Sequence, residues 1–341
     1  MKKIITLLTT LIIFSTFTSN ILASQTSTKV NDEQILIQNG LAKENLEALT
    51  KEDKQQLIEI LKEDKDKVQI NSTVMEIDNL AEIEAFMNLS EEALIANGAD
   101  SEKVKAARNE LSEYFNMSDE ELAKELDTSM IEARYIKKAI EKARNKIDGN
   151  QPKEIRDENL VNASGSISST KLTYSQAVTN LSTSTRPIYK VNVAYTWKTV
   201  YALSIYSDTI AACWGGGLVT SNISSAAAYY DATSSSFSSY NKTISMTKEE
   251  TIQAGIKFRF PQAVMPKNPA YPTSKTRNGS ATFTIYQLQK QGYATQVASR
   301  YCHRSVRLES TSISFSTSPT VSINVGGAWD TSAQSVSTIS Y

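Results

Sequence analysis

The chain has 341 residues, long enough for two domains with cores of their own, and its net charge of −1 hides a division. From residue 161 onward six acids stand against fifteen bases, a surplus of nine positive charges; before it, leaving out the first 24 residues, 31 acids stand against 19 bases, a surplus of twelve negative ones. One histidine and two isolated cysteines argue against a metal centre, and no glycine-rich run continues into a phosphate loop.

Residues 1–24 read as a secretory signal peptide. Lys2 and Lys3 precede a mostly apolar run to Phe17, and Ala23 and Ser24 offer a cleavage site. The run is too short and too broken by Thr and Ser for a membrane anchor, so the expectation is a secreted, extracellular protein with no transmembrane segment after cleavage.

Residues 25–147 read as an acidic, helical domain. Thr50, Ser90, Asp100 or Ser101, and Ser118 with Glu121 supply helix starts, the last pair as a capping box. Apolar stripes follow: Leu57, Ile58 and Leu61; Val74, Ile77, Leu80, Ala81 and Ile83; Val104, Ala107 and Leu111; Ile131 through Ala143. Asn88-Leu-Ser-Glu-Glu and Asn116-Met-Ser-Asp-Glu stand 28 residues apart, each opening a short helix before a longer one. Residues 148–162, with Gly149, Pro152 and alternating charges, read as a linker.

Residues 163–341 carry period-two patterning and read as a basic all-β domain. In Tyr189–Trp197 the odd residues form an aromatic and aliphatic face, and Lys190, Asn192, Ala194 and Thr196 an apparently wet one. Val200–Tyr206 reads as a second strand, Ser207-Asp208 as a turn, and Gly215-Gly216-Gly217 as a bulge or crossing. About ten strands without a helix give the expected fold: α + β in separate domains, a helical module followed by an antiparallel β-sandwich of Greek-key type, with a closed barrel as the alternative.

Cys213 and Cys302 are expected to form one disulfide, worth about 4–5 kcal/mol by loop entropy. That pairing leaves no thiolate for a Cys213–His303 nucleophile, and Glu249-Glu250 point to opposite faces of a strand, so no catalytic residues and no cofactor are assigned. The binding residues are placed in Pro261–Asn278, which holds four of the seven prolines: Lys267, Tyr271, Lys275 and Arg277. Arg300, Arg304 and Arg307 add to the same positive face. The expected function is non-enzymatic binding of an extracellular anionic polymer or carbohydrate, such as a cell-wall or surface glycan. Export makes nucleic acid a poor choice. The alternative is a secreted toxin or antimicrobial precursor in which the acidic helices are a pro-domain masking a membrane-active β domain.

Overall fold

The computed structural model describes residues 32–126, 129–147, 169–198, 203–232, 241–252, 254–266, 273–288, 291–317 and 320–341. The expected signal peptide and linker lie outside these residues.

The helix starts follow local capping chemistry. Thr50 accepts from the Asp53 N–H at the head of α1 (Lys51–Glu63). After α2 (Asn79–Asn88), Ser90 caps α3 (Glu91–Ala96) and Asp100 caps α4 (Ser101–Asn116). Ser118 and Glu121 close a capping box on α5 (Asp119–Glu125), which precedes α6 (Met130–Ile147). The short–long helix order thus occurs twice, as the 28-residue repeat suggests. Each cap satisfies an amide that the helix itself leaves open.

The acidic half is not all helical. Val68–Asp78 is an extended strand, β1, paired antiparallel along its whole length with β2 (Ser169–Asn180), from Val68↔Thr179 to Asp78↔Ser169. The stripe Val74, Ile77, Leu80, Ala81, Ile83 therefore crosses a strand–helix junction. Val68, Ile70, Thr73, Val74 and Ile77 are β-branched, which suits the pleated conformation, and β2 supplies the missing hydrogen bonds.

β1 is the edge of a sheet ordered β1-β2-β3-β10-β5-β6, with β3 at Ile188–Trp197, β10 at Ser274–Tyr286, β5 at Val219–Ala232 and β6 at Lys242–Ser245. A short β9 (Ala263–Val264) also pairs with β10. The second sheet runs β14-β11-β4-β8-β7: Trp329–Thr331, Ala294–Arg304, Ser207–Trp214, Gly255–Pro261 and Thr247–Ile252, with β15 (Ser335–Ser340) against β11. A two-stranded sheet joins β12 (Ile313–Ser316) to β13 (Ser322–Val325). Both larger sheets are open, as in a sandwich and unlike the barrel alternative.

Aromatic rings join the two layers. Tyr195 stacks on Phe260 with ring centres 5.2 Å apart, Trp197 meets Tyr301 edge-on at 5.9 Å, and Trp214 and Phe258 both approach Phe283. Tyr195 and Trp197 come from the odd-numbered face of β3, as its alternation implies, and the other rings from β4, β8, β10 and β11. The other face of β3 is covered as well. Leu36, Leu41, Leu46, Leu57 and Leu61 pack over Ala177 and Ala194, so Asn192 and Ala194 are buried. Gly216 and Gly217 turn the chain after Trp214 with positive φ; a Cβ on Gly216 would lie 2.6 Å from the Tyr341 ring.

One apolar cluster runs from Met75, Ile77, Phe86, Val104 and Leu111 to Trp197, Phe258 and Phe283. Among the described residues the expected separation into a helical and a β domain is therefore absent. The acidic half contributes both a strand and a cap to the same core. Truncating buried Met75 to Ala should cost about 2–5 kcal/mol, whereas exposed Val74→Thr should stay within about 0.5 kcal/mol. Urea unfolding midpoints of the two variants check this; equal losses would remove β1 from the sheet.

Candidate functional site

The expected binding residues do not come together. Lys267 and Tyr271 lie outside the described residues. Much of the expected loop is strand: β8 ends at Pro261, β9 takes Ala263–Val264 and β10 begins at Ser274. Lys275 is only 3% exposed, and its Nζ lies 2.6 Å from Glu110 of α4. Arg277 stands 4.0 Å from Asp231. Lys275 thus holds the acidic half in place, and only Arg277 of the described pair keeps a partly open position on β10.

Two further carboxylates work at this seam. Asp53 lies 2.7 Å from Lys190 and accepts from Thr282 at 2.8 Å, on the β3 and β10 face expected to be wet. Burial pushes its pKa up, but the bonds from Lys190 and Thr282 outweigh that and hold it below the usual value. Glu82 of α2 accepts the Val306 N–H at 2.8 Å. The opposite charges of the two halves are spent in part on each other.

The disulfide is also corrected. Both cysteines are free and buried. Cys213 lies opposite Ala298, and Cys302 opposite Thr209, four residues further along the same β4–β11 ladder. At about 3.4 Å per residue that is roughly 13 Å, far beyond the span of a disulfide. Burial raises both thiols to about 12, so neither supplies a nucleophilic thiolate at neutral pH.

A concavity of about 440 Å³ lies on the outer face of the second sheet. Strand alternation builds its floor. Ser207 and Thr209 of β4, Lys257 and Arg259 of β8, and Arg304 of β11 point outward, while Asp208, Phe258, Phe260 and His303 point between the sheets. Asn97, Gly98, Asp100 and Lys103 form one wall from the helical half. Thr311, Ile313 and Trp329 form another. The cleft exists only where the two halves meet. Asn97 fastens that wall, donating to the Tyr206 hydroxyl at 3.4 Å and to the Arg307 carbonyl at 3.2 Å.

Its electrostatics are one-sided. Four cations, Lys103, Lys257, Arg259 and Arg304, face two carboxylates, Asp100 and Glu249. Asp100 already caps α4, and Glu249 sits 3.6 Å from Arg259. Glu249 lies in strand β7, as the sequence reading has it. Among the described residues Lys103, Lys257 and Arg304 form no ion pair. Burial lowers the pKa of Lys103. Arg304 is 4% exposed, its guanidinium rests over the Tyr206 ring at 5.0 Å, and its Nη2 has no hydrogen-bond partner; neither has Nε1 of Trp329. Buried donors left open in this way are costly unless an acceptor reaches them.

Beneath the floor Asp208 gathers four donors: Tyr301 Oη, His303 Nδ1 at 3.1 Å, Gln262 Nε2 at 2.7 Å and the Arg304 N–H at 3.1 Å. The Ser-Asp turn signal is overridden by these bonds, and Asp208 is fully buried within β4.

No protein-family model and no curated protein matches the chain. Among solved structures it is similar to the collagen-binding subdomain of the Enterococcus faecalis surface protein ACE, with 10% identity over 47% of this chain and 91% of that one, at a TM-score of 0.21. It is similar to the collagen-binding domain of a Staphylococcus aureus adhesin at 11% identity, 46% and 89% coverage and the same TM-score. Likenesses this slight carry no argument, and the functional reading rests on the geometry above.

Of the cleft residues only Arg304 belongs to the positive face expected from sequence. Lys103, the Lys257–Arg259 pair of β8, and Trp329 come from three distant stretches, and no local spacing signals their convergence. Thiol titration of unreduced protein should find two reactive thiols after denaturation and none before it. Two missing thiols in the denatured protein would restore the disulfide.

Proposed function

We propose that this is an exported binding protein, not an enzyme, whose cleft takes an anionic group of an extracellular polymer or glycan. The observation that carries the reading is the unneutralised guanidinium of Arg304, buried in a concavity whose cations outnumber its acids. Nη1 of Arg304 donates to the Ala328 carbonyl at 3.4 Å, which leaves Nη2 to donate to a carboxylate or sulfate, and charge-assisted bonds of this kind are the strong ones. The half-buried Trp329 ring in the cleft wall suits the apolar face of a sugar. The volume has room for one or two sugar units. The signal-peptide character of residues 1–24 supports export, and no helix among the described residues is long and apolar enough to cross a membrane.

The pro-domain reading has one observation in its favour: Glu110 covers Lys275. Release of the acidic half would, however, strip an eleven-residue strand from β2 and open a shared core. The same release would also dismantle the cleft. Binding by the intact chain is the reading the geometry favours.

Polygalacturonate and its neutral methyl ester test it by calorimetry. Wild type should bind the charged polymer at least about tenfold more tightly than the ester, with affinity falling as salt rises. Arg304→Gln should lose about tenfold or more, the worth of one charge-assisted bond. Equal binding of the two polymers, or an unaffected variant, would overturn the reading.

A further inference from the structure

We propose that Asp208, Gln262 and His303 form a buried positioning network that fixes Arg304 and Tyr206 in the cleft, so that the affinity of the cleft is set from beneath the sheet. The inference deepens the anion-binding reading and rests on it for its effect on affinity, but not for its structural content.

The bonds converge on the backbone of the two residues that frame the guanidinium. Asp208 accepts the Arg304 N–H at 3.1 Å, and Gln262 Nε2 donates to the Arg304 carbonyl at 2.9 Å. The Gln262 carbonyl oxygen accepts the Tyr206 N–H at 3.0 Å, and the Gln262 N–H donates to the Tyr206 carbonyl at 3.0 Å. Arg304 and Tyr206 are thus each held on both sides of the peptide, with the guanidinium 5.0 Å over the ring. Gln262 is 2% exposed and Asp208 fully buried, so water does not compete for these bonds. A buried carboxylate with four donors is rigid only while all four are kept.

His303 is the one side chain among the four donors that gains a positive charge on protonation. Burial lowers its pKa, but Asp208 beside it, with Glu82 of α2 and Asp330 of β14 further off, holds it above the ordinary histidine value. Cys302 and Arg304 flank it in β11, Tyr301 lies two residues away on its face, and the Trp197 ring of β3 packs edge-on at 5.5 Å. The sign follows. The pair is complete when His303 is protonated, below its raised pKa, and is lost as pH rises through it. The neutral ring can still donate to Asp208 but no longer offsets its charge, and the hold of the network on Arg304 weakens. Anion affinity should fall across that interval. The depressed lysine, Lys103, adds a separate loss at higher pH that does not depend on His303.

NMR of the full chain tests the network without any ligand. The Arg304 Nε–H and Tyr206 amide signals should shift with pH at the midpoint of the His303 ring, and those shifts should vanish in His303→Gln. The glutamine keeps a neutral donor to Asp208, so the variant should fold. With polygalacturonate as probe, wild-type affinity should fall about three- to tenfold across the same interval, the scale of one network hydrogen bond, and His303→Gln should lose that step while still binding. If Arg304 and Tyr206 do not follow His303, the network is only structural and the proposal fails. If they follow it and wild type binds no anion at any pH, the positioning stands and the anion reading of the cleft fails. If wild type and variant bind with one pH profile, the link from network to affinity is overturned.

Discussion

The pairing of β1 with β2 is the constraint on which the rest of the molecule depends. Without it the acidic half would be a set of capped helices cut off from the core they cover, and helical stability in a protein comes mostly from such packing. With it, eleven residues of that half become the edge of a sheet whose opposite face closes an aromatic core. The helices on either side are then delivered to fixed places. Residues 32–63 cover the outer face of β2 and β3, and α2 to α6 close one end of the sandwich and its flank. The wall of the cleft, from Asn97 to Lys103, is placed by this same attachment.

Charge segregation in the sequence has a local meaning in the fold. Asp53, Glu82 and Glu110 are where the acidic surplus enters the β half, meeting Lys190, the Val306 amide and Lys275. Removing one partner of such a buried pair typically costs about 3–5 kcal/mol, since the other charge is left stranded. The pairs therefore fix where the helices dock more than they add net stability. They also consume the cation that the proline-rich stretch seemed to offer a ligand. The positive charge left over gathers elsewhere, at Lys103, Lys257 and Arg304.

Much of the local structure was legible before the fold. Thr50, Ser90, Asp100 and Ser118 cap helices as their spacing implies, because a cap is a contact within three residues. The aromatic face of β3 was legible for the same reason, as alternation is local. β1 was not, since an apolar stripe that spans a strand and the next helix imitates a helical period, and its partner lies about a hundred residues away. The cysteines misled because an even count says nothing of register, and register holds them four residues apart. Asp208 misled because Ser-Asp is common in turns, while its four donors are supplied by β11 and by Gln262, the residue after β8. The cleft was illegible in principle: its cations are brought together by strand pairing and helix docking, which no local pattern records.

The central claim is that the acidic half and the β half form one cooperative unit through β1. Native-state hydrogen exchange measures this most directly. The amides of Val68–Asp78 that bond to β2 should exchange with the same opening free energy as those of β3 and β10, at the global unfolding value. If β1 and α2 to α6 open together at a distinctly lower free energy while the sandwich stays closed, the halves are separable, and a cleft built from both of them is not a permanent feature of the protein.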